Sequence, residues 1–182
     1  KSDIRELATE AGLHLAAKAD SQEICFIPLG DYREFLKKQV TPIPGDLVDS
    51  TGNVIGKHPG VEFFTVGQRR GLGVATGQRL FVTRIEPETA RVVLGSELDL
   101  FRRGVEVDSV NYVGGTAPVQ PIRVEAQLRY NAKPLPATLT PKPSGAHLWF
   151  DEPQRSITPG QAAVFFDGEL VVGGGYIMEA VG

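Results

Sequence analysis

From Gly104 to the C-terminus, six short segments alternate in polarity or run apolar, and turn residues separate them. The segments are GVEVDSVNYV, IRVEAQLRY, LPATLT, AHLWF, AAVFF and LVVGGGYIMEAV. Asp167-Gly168, between the last two, is a strong signal for a two-residue hairpin turn. So many short strands in succession predict a closed or nearly closed β-barrel, because closure removes exposed sheet edges. The predicted fold class is therefore mainly β, with a six-stranded barrel at the C-terminus.

The first forty residues have a different character. Residues 2–12 predict a helix with Ser2 as its N-cap and Gly12 as its stop signal. Residues 31–39 predict a second helix with a buried apolar stripe. The stretch TPIPG (41–45) then changes the composition and is typical of a domain boundary.

Two hairpins are predicted between this boundary and the barrel. Residues 46–57 turn at Thr51-Gly52-Asn53, and residues 80–95 turn at Pro87 to Thr89. The glycine-rich stretch between them predicts one short helical turn. We therefore predict that the chain has three parts. Residues 1–40 are the end of a larger domain and include a cysteine loop, residues 41–104 form a small β-rich central domain, and residues 105–182 form the barrel.

The composition excludes several classes of function. A small module that binds nucleic acid by covering its phosphates is usually basic, whereas this chain of 182 residues has a formal net charge of −3. Contact with nucleic acid would therefore depend on local patches. The single cysteine excludes an internal disulfide and fits a reducing cytosol. No apolar run approaches about 18 residues, so we expect no membrane contact and a cytoplasmic location.

Glycine clusters and histidines do not predict a nucleotide or metal site in this chain. Neither GLG at 71–73 nor GGG at 173–175 opens a helix after a parallel strand, as a phosphate loop would. The GGG is typical of a bulge or of a close backbone approach within a strand. No histidine or cysteine pair has the spacing of metal ligands, and we interpret His14, His58 and His147 as surface or turn residues.

Cys25 lies between Ile24 and Phe26 in SQEICFIP, a stretch with neither helical nor clean strand periodicity. The residues alone leave open a buried, inert thiol and a reactive one. A cysteine hydrolase is one reactive alternative, but it needs an imidazole to deprotonate the thiol. A loop position favours a functional role, since loops hold a large share of functional residues.

Basic residues form small clusters at Arg69-Arg70, at Arg102-Arg103, and at Arg129, Tyr130 and Lys133. Such clusters are usually solvated surface. An arginine beside a tyrosine nevertheless suits RNA, because the guanidinium can bind a phosphate and the ring a base or sugar. A non-catalytic RNA-binding barrel is therefore an alternative function.

The sequence resembles the C-terminal half of the bacterial tRNA-specific 2-thiouridylases. The similarity extends through KSDIRELATEAGL, DSQEICFI, PGDLVDSTGNVIGKHPGVEFFTVGQRRGLG, LRYNAKP and FDEP…TPGQAAVFFDGELVVGGGYI. It covers essentially the whole chain, and HPG…TVGQRRGLG and TPGQAAVF are its most specific segments.

The resemblance implies ATP-dependent 2-thiolation of the wobble uridine, position 34, of tRNA. ATP would be a co-substrate bound by an N-terminal domain with an SGGVDS-like loop, which this sequence does not contain, so we expect the chain alone to be inactive. Cys25 would receive sulfur as a persulfide from a relay protein or cysteine desulfurase, and would form a disulfide with a cysteine absent from this chain. Arg129, Tyr130 and Gln161 would be the tRNA contacts of a barrel similar to those of translation elongation factors.

Overall fold

The structure, a computed structural model, describes residues 2–13, 32–74 and 77–182. The chain forms two compact units, Lys1–Thr41 and Pro42–Gly182. In the first unit, helix α1 spans Ser2–Glu10 and helix α2 spans Tyr32–Gln39. Both predicted helices are therefore confirmed, and Gly12, with φ of 69°, follows α1 as its stop.

The second unit begins with a four-stranded sheet, here called the central sheet. Its strands are β1 (Gly45–Val48), β2 (Val54–His58), β3 (Phe81–Glu86) and β4 (Arg91–Gly95). The two predicted hairpins, β1–β2 and β3–β4, are confirmed, as is one short helical turn at Val61–Phe63. A parallel pairing of β1 with β4 joins the hairpins into the order β2-β1-β4-β3. The core of this sheet consists of Leu47, Leu72, Val82, Val92 and Leu94.

The remaining strands form a closed, antiparallel six-stranded barrel, as predicted. They are β5 (Phe101–Tyr112), β6 (Ile122–Gln127), β7 (Leu135–Lys142), β8 (Gly145–Arg155), β9 (Ala162–Asp167) and β10 (Leu170–Val181). Their order around the barrel is β10-β5-β8-β7-β6-β9, and β9 pairs with β10 to close it. Phe150 and Phe165 are the largest side chains buried in its core.

The GGG of β10 has the role predicted for it. A Cβ atom at Gly173 would lie 2.5 Å from the main-chain oxygen of Asn111, and one at Gly175 would lie 2.4 Å from that of Asp108. The pairing register with β5 shifts between Gly174 and Tyr176. These glycines therefore allow a bulge and a close backbone approach.

Candidate nucleic-acid interface

A tight loop follows β6 and presents Arg129 and Tyr130. The side-chain nitrogen of Gln127 donates hydrogen bonds to the main-chain oxygens of Tyr130 (2.9 Å) and Ala132 (2.8 Å). The amide of Ala132 also donates to the oxygen of Arg129 at 3.1 Å. The segment IRVEAQLRY was predicted as one strand, but the strand ends at Gln127 because these bonds turn the chain. The residue pattern of this segment did not indicate that the side-chain amide of Gln127 fixes the loop.

A hollow of about 680 Å³ lies between this loop and the start of β9, and all three predicted barrel contacts line it. They are Arg129, Tyr130 and Gln161, and Asn131 lines the same hollow. The ring of Tyr130 is 94% exposed. The main-chain oxygen of Gln161 accepts from the amide of Ile177 at 2.8 Å, so the backbone is fixed while the side chain is exposed. No carboxylate is among the residues that line the hollow.

Arg129 also makes structural hydrogen bonds that the sequence did not predict. Its Nη2 nitrogen donates to the main-chain oxygens of Arg155, at 3.2 Å, and of Ser156. Ser156 is buried and has a φ of 53°, and its amide donates to the oxygen of Leu100 at 2.8 Å. Arg129 therefore connects the loop after β6 to the segment between β8 and β9.

On its other side the loop borders a smaller hollow of about 170 Å³. Lys133 and Arg155 line it together with Arg129. Arg155 also lies 3.3 Å from the Oε1 oxygen of Glu97 and stacks over the ring of Phe81 at 5.6 Å. Arg129 thus lines both hollows, and Lys133 and Arg155 add positive charge on the smaller side, which favours an anionic ligand at this end of the barrel.

Two groups of charged side chains elsewhere in the barrel are paired with one another. Both Lys142, at 2.6 Å, and the Nδ1 atom of His147, at 2.9 Å, contact the carboxylate of Glu106. The hydrogen bond from Lys142 is the largest cause that holds the pKa of Glu106 below its ordinary value, and His147 adds to it. Arg123 forms a two-point contact with Asp151, with Nη–Oδ distances of 2.9 and 2.6 Å. Because Arg123 and Lys142 already bind carboxylates, their charge is partly neutralised and fewer of their donors are available to a ligand.

His58 is buried, so its interpretation as a surface or turn residue is wrong. Its Nδ1 atom accepts from the amide of Gly60 at 3.1 Å, and its Nε2 atom lies 3.1 Å from the main-chain oxygen of Ala90. The ring is therefore a neutral tautomer with its proton on Nε2, and it links β2 to the turn after β3. This is a structural histidine, which the sequence did not reveal because its partners are main-chain atoms.

Cys25, the predicted sulfur carrier, lies outside the described residues, as does His14. Within the described ranges, no group of three or more histidine, aspartate or glutamate side chains is placed to hold a metal ion. Neither described helix is long and apolar enough to cross a membrane.

Three family models match consecutive parts of the chain. They describe a tRNA methyl transferase HUP domain (residues 1–29), a tRNA methyl transferase PRC-barrel domain (33–96) and an aminomethyltransferase β-barrel domain (102–177). The third match corresponds to the six-stranded barrel and the second to the region of α2 and the central sheet. The class is thus that of tRNA-modifying enzymes with a β-barrel domain.

Proteins named tRNA-specific 2-thiouridylase MnmA match nearly the whole chain. The one from Pelotomaculum thermopropionicum is 48% identical over 97% of this chain and 49% of its own length. The relative from Nostoc punctiforme is 46% identical over 98% of this chain and 52% of its own length. The relative from Moorella thermoacetica is 46% identical over 97% of this chain and 50% of its own length. The chain therefore belongs to the tRNA-specific 2-thiouridylase family, and it spans about half the length of the relatives it matches.

Proposed function

We propose that this chain is the tRNA-holding part of an enzyme that thiolates C2 of the wobble uridine of tRNA. The observation that carries this proposal is the hollow lined jointly by Arg129, Tyr130 and Gln161, residues from two separate stretches of the chain. The barrel would hold the anticodon arm there, while another part of the enzyme receives the base. The relatives are all named for thiolation, whereas the family models mention methyl and aminomethyl transfer. Thiolation is the activity that would need the sulfur of Cys25, whereas methyl transfer would not.

Each residue of the hollow offers a different contact. Arg129 lines the hollow, and the guanidinium donors that do not bind Arg155 and Ser156 can bind a phosphate. Tyr130 offers an exposed ring for stacking on a base or ribose, and such stacking contributes about 1–3 kcal/mol per base. Gln161 has an amide that both donates and accepts, on a backbone fixed by Ile177. The hollow therefore combines one charged, one stacking and one hydrogen-bonding contact, which suits a single-stranded loop of RNA.

The proposed chemistry places a persulfide on Cys25. Adenylation of the uridine C2 oxygen, with ATP bound outside this chain, would convert that oxygen into a leaving group. The terminal sulfur of the persulfide then bonds to C2, directly or as hydrosulfide, and AMP departs with the oxygen. A second cysteine outside this chain would release that sulfur by forming a disulfide with Cys25. A dithiol reductant of the cytosol would then reduce this disulfide back to two thiols, and a persulfide relay protein or cysteine desulfurase would reload the Cys25 thiol.

A non-catalytic RNA-binding barrel is the alternative. It is favoured by the fact that the whole hollow lies in the barrel, within residues 127–164. The two functions differ in their requirement for Cys25, because only thiolation needs its sulfur.

Binding of unmodified tRNA to the 182-residue chain tests the holding role. Tyr130→Ala should weaken tRNA binding by about 1–3 kcal/mol through lost stacking. Tyr130→Phe retains the ring, so its tRNA affinity should be closer to that of the parent protein. Leu170→Ala is a suitable control, since it removes an exposed side chain that does not line the hollow. Equal affinities for the parent and Tyr130→Ala would remove the observation on which the proposal rests.

A further inference from the structure

A second groove without acidic residues lies in the central domain, on the glycine-rich stretch that follows Phe64. It encloses about 360 Å³, and Arg69, Gln78 and Arg79 are its polar side chains. The rest of its lining is glycine and aliphatic residues, and it includes no carboxylate. Arg70, next to Arg69, is exposed as well. Three arginines are thus gathered on one loop.

The loop that holds these arginines is fixed by its own hydrogen bonds. The side chain of Gln68 accepts from the amide of Thr65 at 3.1 Å and donates to the main-chain oxygen of Arg70 at 2.9 Å. The amide of Val82 donates to the oxygen of Gln68 at 2.9 Å. Leu72 is buried in the core of the central sheet. The main chain beside Arg69 and Arg70 is therefore positioned before any ligand arrives, which lowers the entropy cost of binding.

These arginines have no acidic partner among the described residues, whereas five of the thirteen lysines and arginines of the second unit do. The five that pair with a carboxylate are Lys57, Arg84, Arg123, Lys142 and Arg155. Arg69, Arg70 and Arg79 make no ion pair within the described ranges. In a chain of net charge −3, an unpaired arginine cluster produces a local positive potential that attracts anions.

The start of this arginine loop lies beside Ser156, the residue whose main-chain oxygen binds Arg129. Gly67 has a φ of 88°, and a Cβ atom at this position would lie 2.6 Å from the Oγ atom of Ser156. The main-chain oxygen of Ser156 in turn accepts from Arg129. The arginine loop and the barrel hollow therefore approach the same joint between the central sheet and the barrel, inside one compact unit.

We propose that the groove at Arg69 and Arg79 is a second RNA contact, which binds phosphates of the same tRNA that the barrel holds. This inference rests on the proposed function, since it extends the bound RNA from the barrel onto the central domain. Guanidinium groups match phosphate oxygens in a forked geometry, and unpaired ones can do so without first leaving a carboxylate. A polyanion is favoured over a single small anion because basic residues lie on both sides of the joint.

The test measures tRNA binding to the full 182-residue chain over a range of salt concentrations. Arg69→Ala/Arg79→Ala should weaken binding roughly tenfold and lower the slope of log K against log salt by about 1.5, the effect of two phosphate contacts. Lys57→Ala/Arg91→Ala is the matched control, because it removes two exposed cations from the same sheet, outside the groove. The control should retain the slope of the parent.

Tyr130→Ala in the same assay separates this inference from the proposed function. If Tyr130→Ala weakens binding while the groove variant behaves like the Lys57→Ala/Arg91→Ala control, the second contact is wrong and the barrel contact stands. If neither variant changes binding, both proposals fail. A third outcome is that free ATP displaces tRNA completely from the parent protein but not from the groove variant. That result would assign the groove to a nucleotide and overturn the RNA contact.

A measurement on the unaltered protein covers the case in which the double variant fails to fold. Phenylglyoxal modifies accessible arginines, and mass spectrometry of the digested protein locates the modified positions. Bound tRNA should protect Arg69 and Arg79 but leave Arg91 reactive. Equal modification of Arg69 and Arg79 with and without tRNA would overturn the inference.

Discussion

The Nη2 nitrogen of Arg129 donates to the main-chain oxygen of Ser156, on the segment that connects β8 to β9. Thr158 donates its hydroxyl to the same oxygen at 3.1 Å. Ser156 is buried, and its amide donates to the oxygen of Leu100, in the turn between β4 and β5. Arg129 is thus both a candidate phosphate contact and part of the joint between the barrel and the central sheet.

Because of this double role, Arg129→Ala should lower stability as well as tRNA affinity. The free energy of unfolding should fall by about 1–2 kcal/mol, since two main-chain carbonyls, one of them partly buried, lose a charged donor. The tRNA affinity should fall by roughly 1–3 kcal/mol, with a salt slope lower by about one phosphate. Denaturant unfolding and tRNA titration measure the two effects.

Tyr130→Ala is the comparison for this prediction, because its ring is 94% exposed. It should reduce tRNA affinity and leave the unfolding midpoint unchanged. An Arg129→Ala protein as stable as the parent would show that the bonds to Arg155 and Ser156 do not stabilise the joint.

Gly67→Ala should destabilise the joint through two separable effects. A φ of 88° costs an alanine about 1–2 kcal/mol, and its Cβ would also collide with Ser156. Gly73→Ala is a control for the first effect alone, since its φ is 73° and nothing lies within 4 Å of the added carbon. We expect Gly67→Ala to lower the free energy of unfolding more than Gly73→Ala does.

A double-mutant cycle identifies the collision partner. In the Ser156→Gly background the second effect should disappear, which gives a coupling energy above about 0.5 kcal/mol between the two positions. Additive losses would mean that Gly67 and Ser156 are not in contact in solution.

Asp49 should make the stability of the β1–β2 turn depend on pH. Its carboxylate accepts hydrogen bonds from the side chains of Thr51 (2.7 Å) and Asn53 (3.1 Å) and from both of their amides, and these bonds lower its pKa to about 2. A lowered pKa means that this stabilisation is complete above the ordinary value of 3.8 and is lost as the pH falls through about 2.

The comparison with Asp49→Asn isolates this group, because all other carboxylates are common to both proteins. At neutral pH the variant should have the lower melting temperature. The difference should shrink as the pH falls below 3.8 and vanish below about 2. A difference that persists unchanged in acid would contradict the assignment of the effect to the charge of Asp49.

Cys25→Ser should abolish 2-thiouridine formation in an enzyme that joins this chain to its ATP-binding part. A serine hydroxyl cannot carry a persulfide, although it occupies nearly the same volume. Binding of tRNA should remain unchanged, which a titration checks while mass spectrometry of tRNA nucleosides measures thiolation. Retained thiolation with a sulfur-relay donor would show that the sulfur is carried by another group.

The sequence was informative wherever the structure depends on neighbours along the chain. Alternation of apolar residues and the Asp167-Gly168 turn predicted the barrel strands, and hairpin signals predicted the pairs β1–β2 and β3–β4. The glycines at 173–175 indicated a bulge. Such features follow from side-chain period and turn chemistry, which act over a few residues.

The sequence was less informative about where a strand ends and which residues are buried. The strand predicted through Tyr130 ends at Gln127, because a side-chain amide bonds main-chain oxygens that follow it. His58 is buried because it finds a main-chain donor at Gly60 and an acceptor at Ala90. Neither set of contacts involves a residue pattern that can be read along the chain.

The sequence by itself determined most of the strands and their local hairpins, and its resemblance to a known family suggested Arg129, Tyr130 and Gln161 as candidate contacts. Only the tertiary structure decided the parallel pairing of β1 with β4, the position of β5 between β8 and β10, and the gathering of those contacts around one hollow. It also decided that Arg129 binds Ser156. The physical reason is that pairings between distant segments depend on how buried faces pack together, and no turn or period along the chain records that packing.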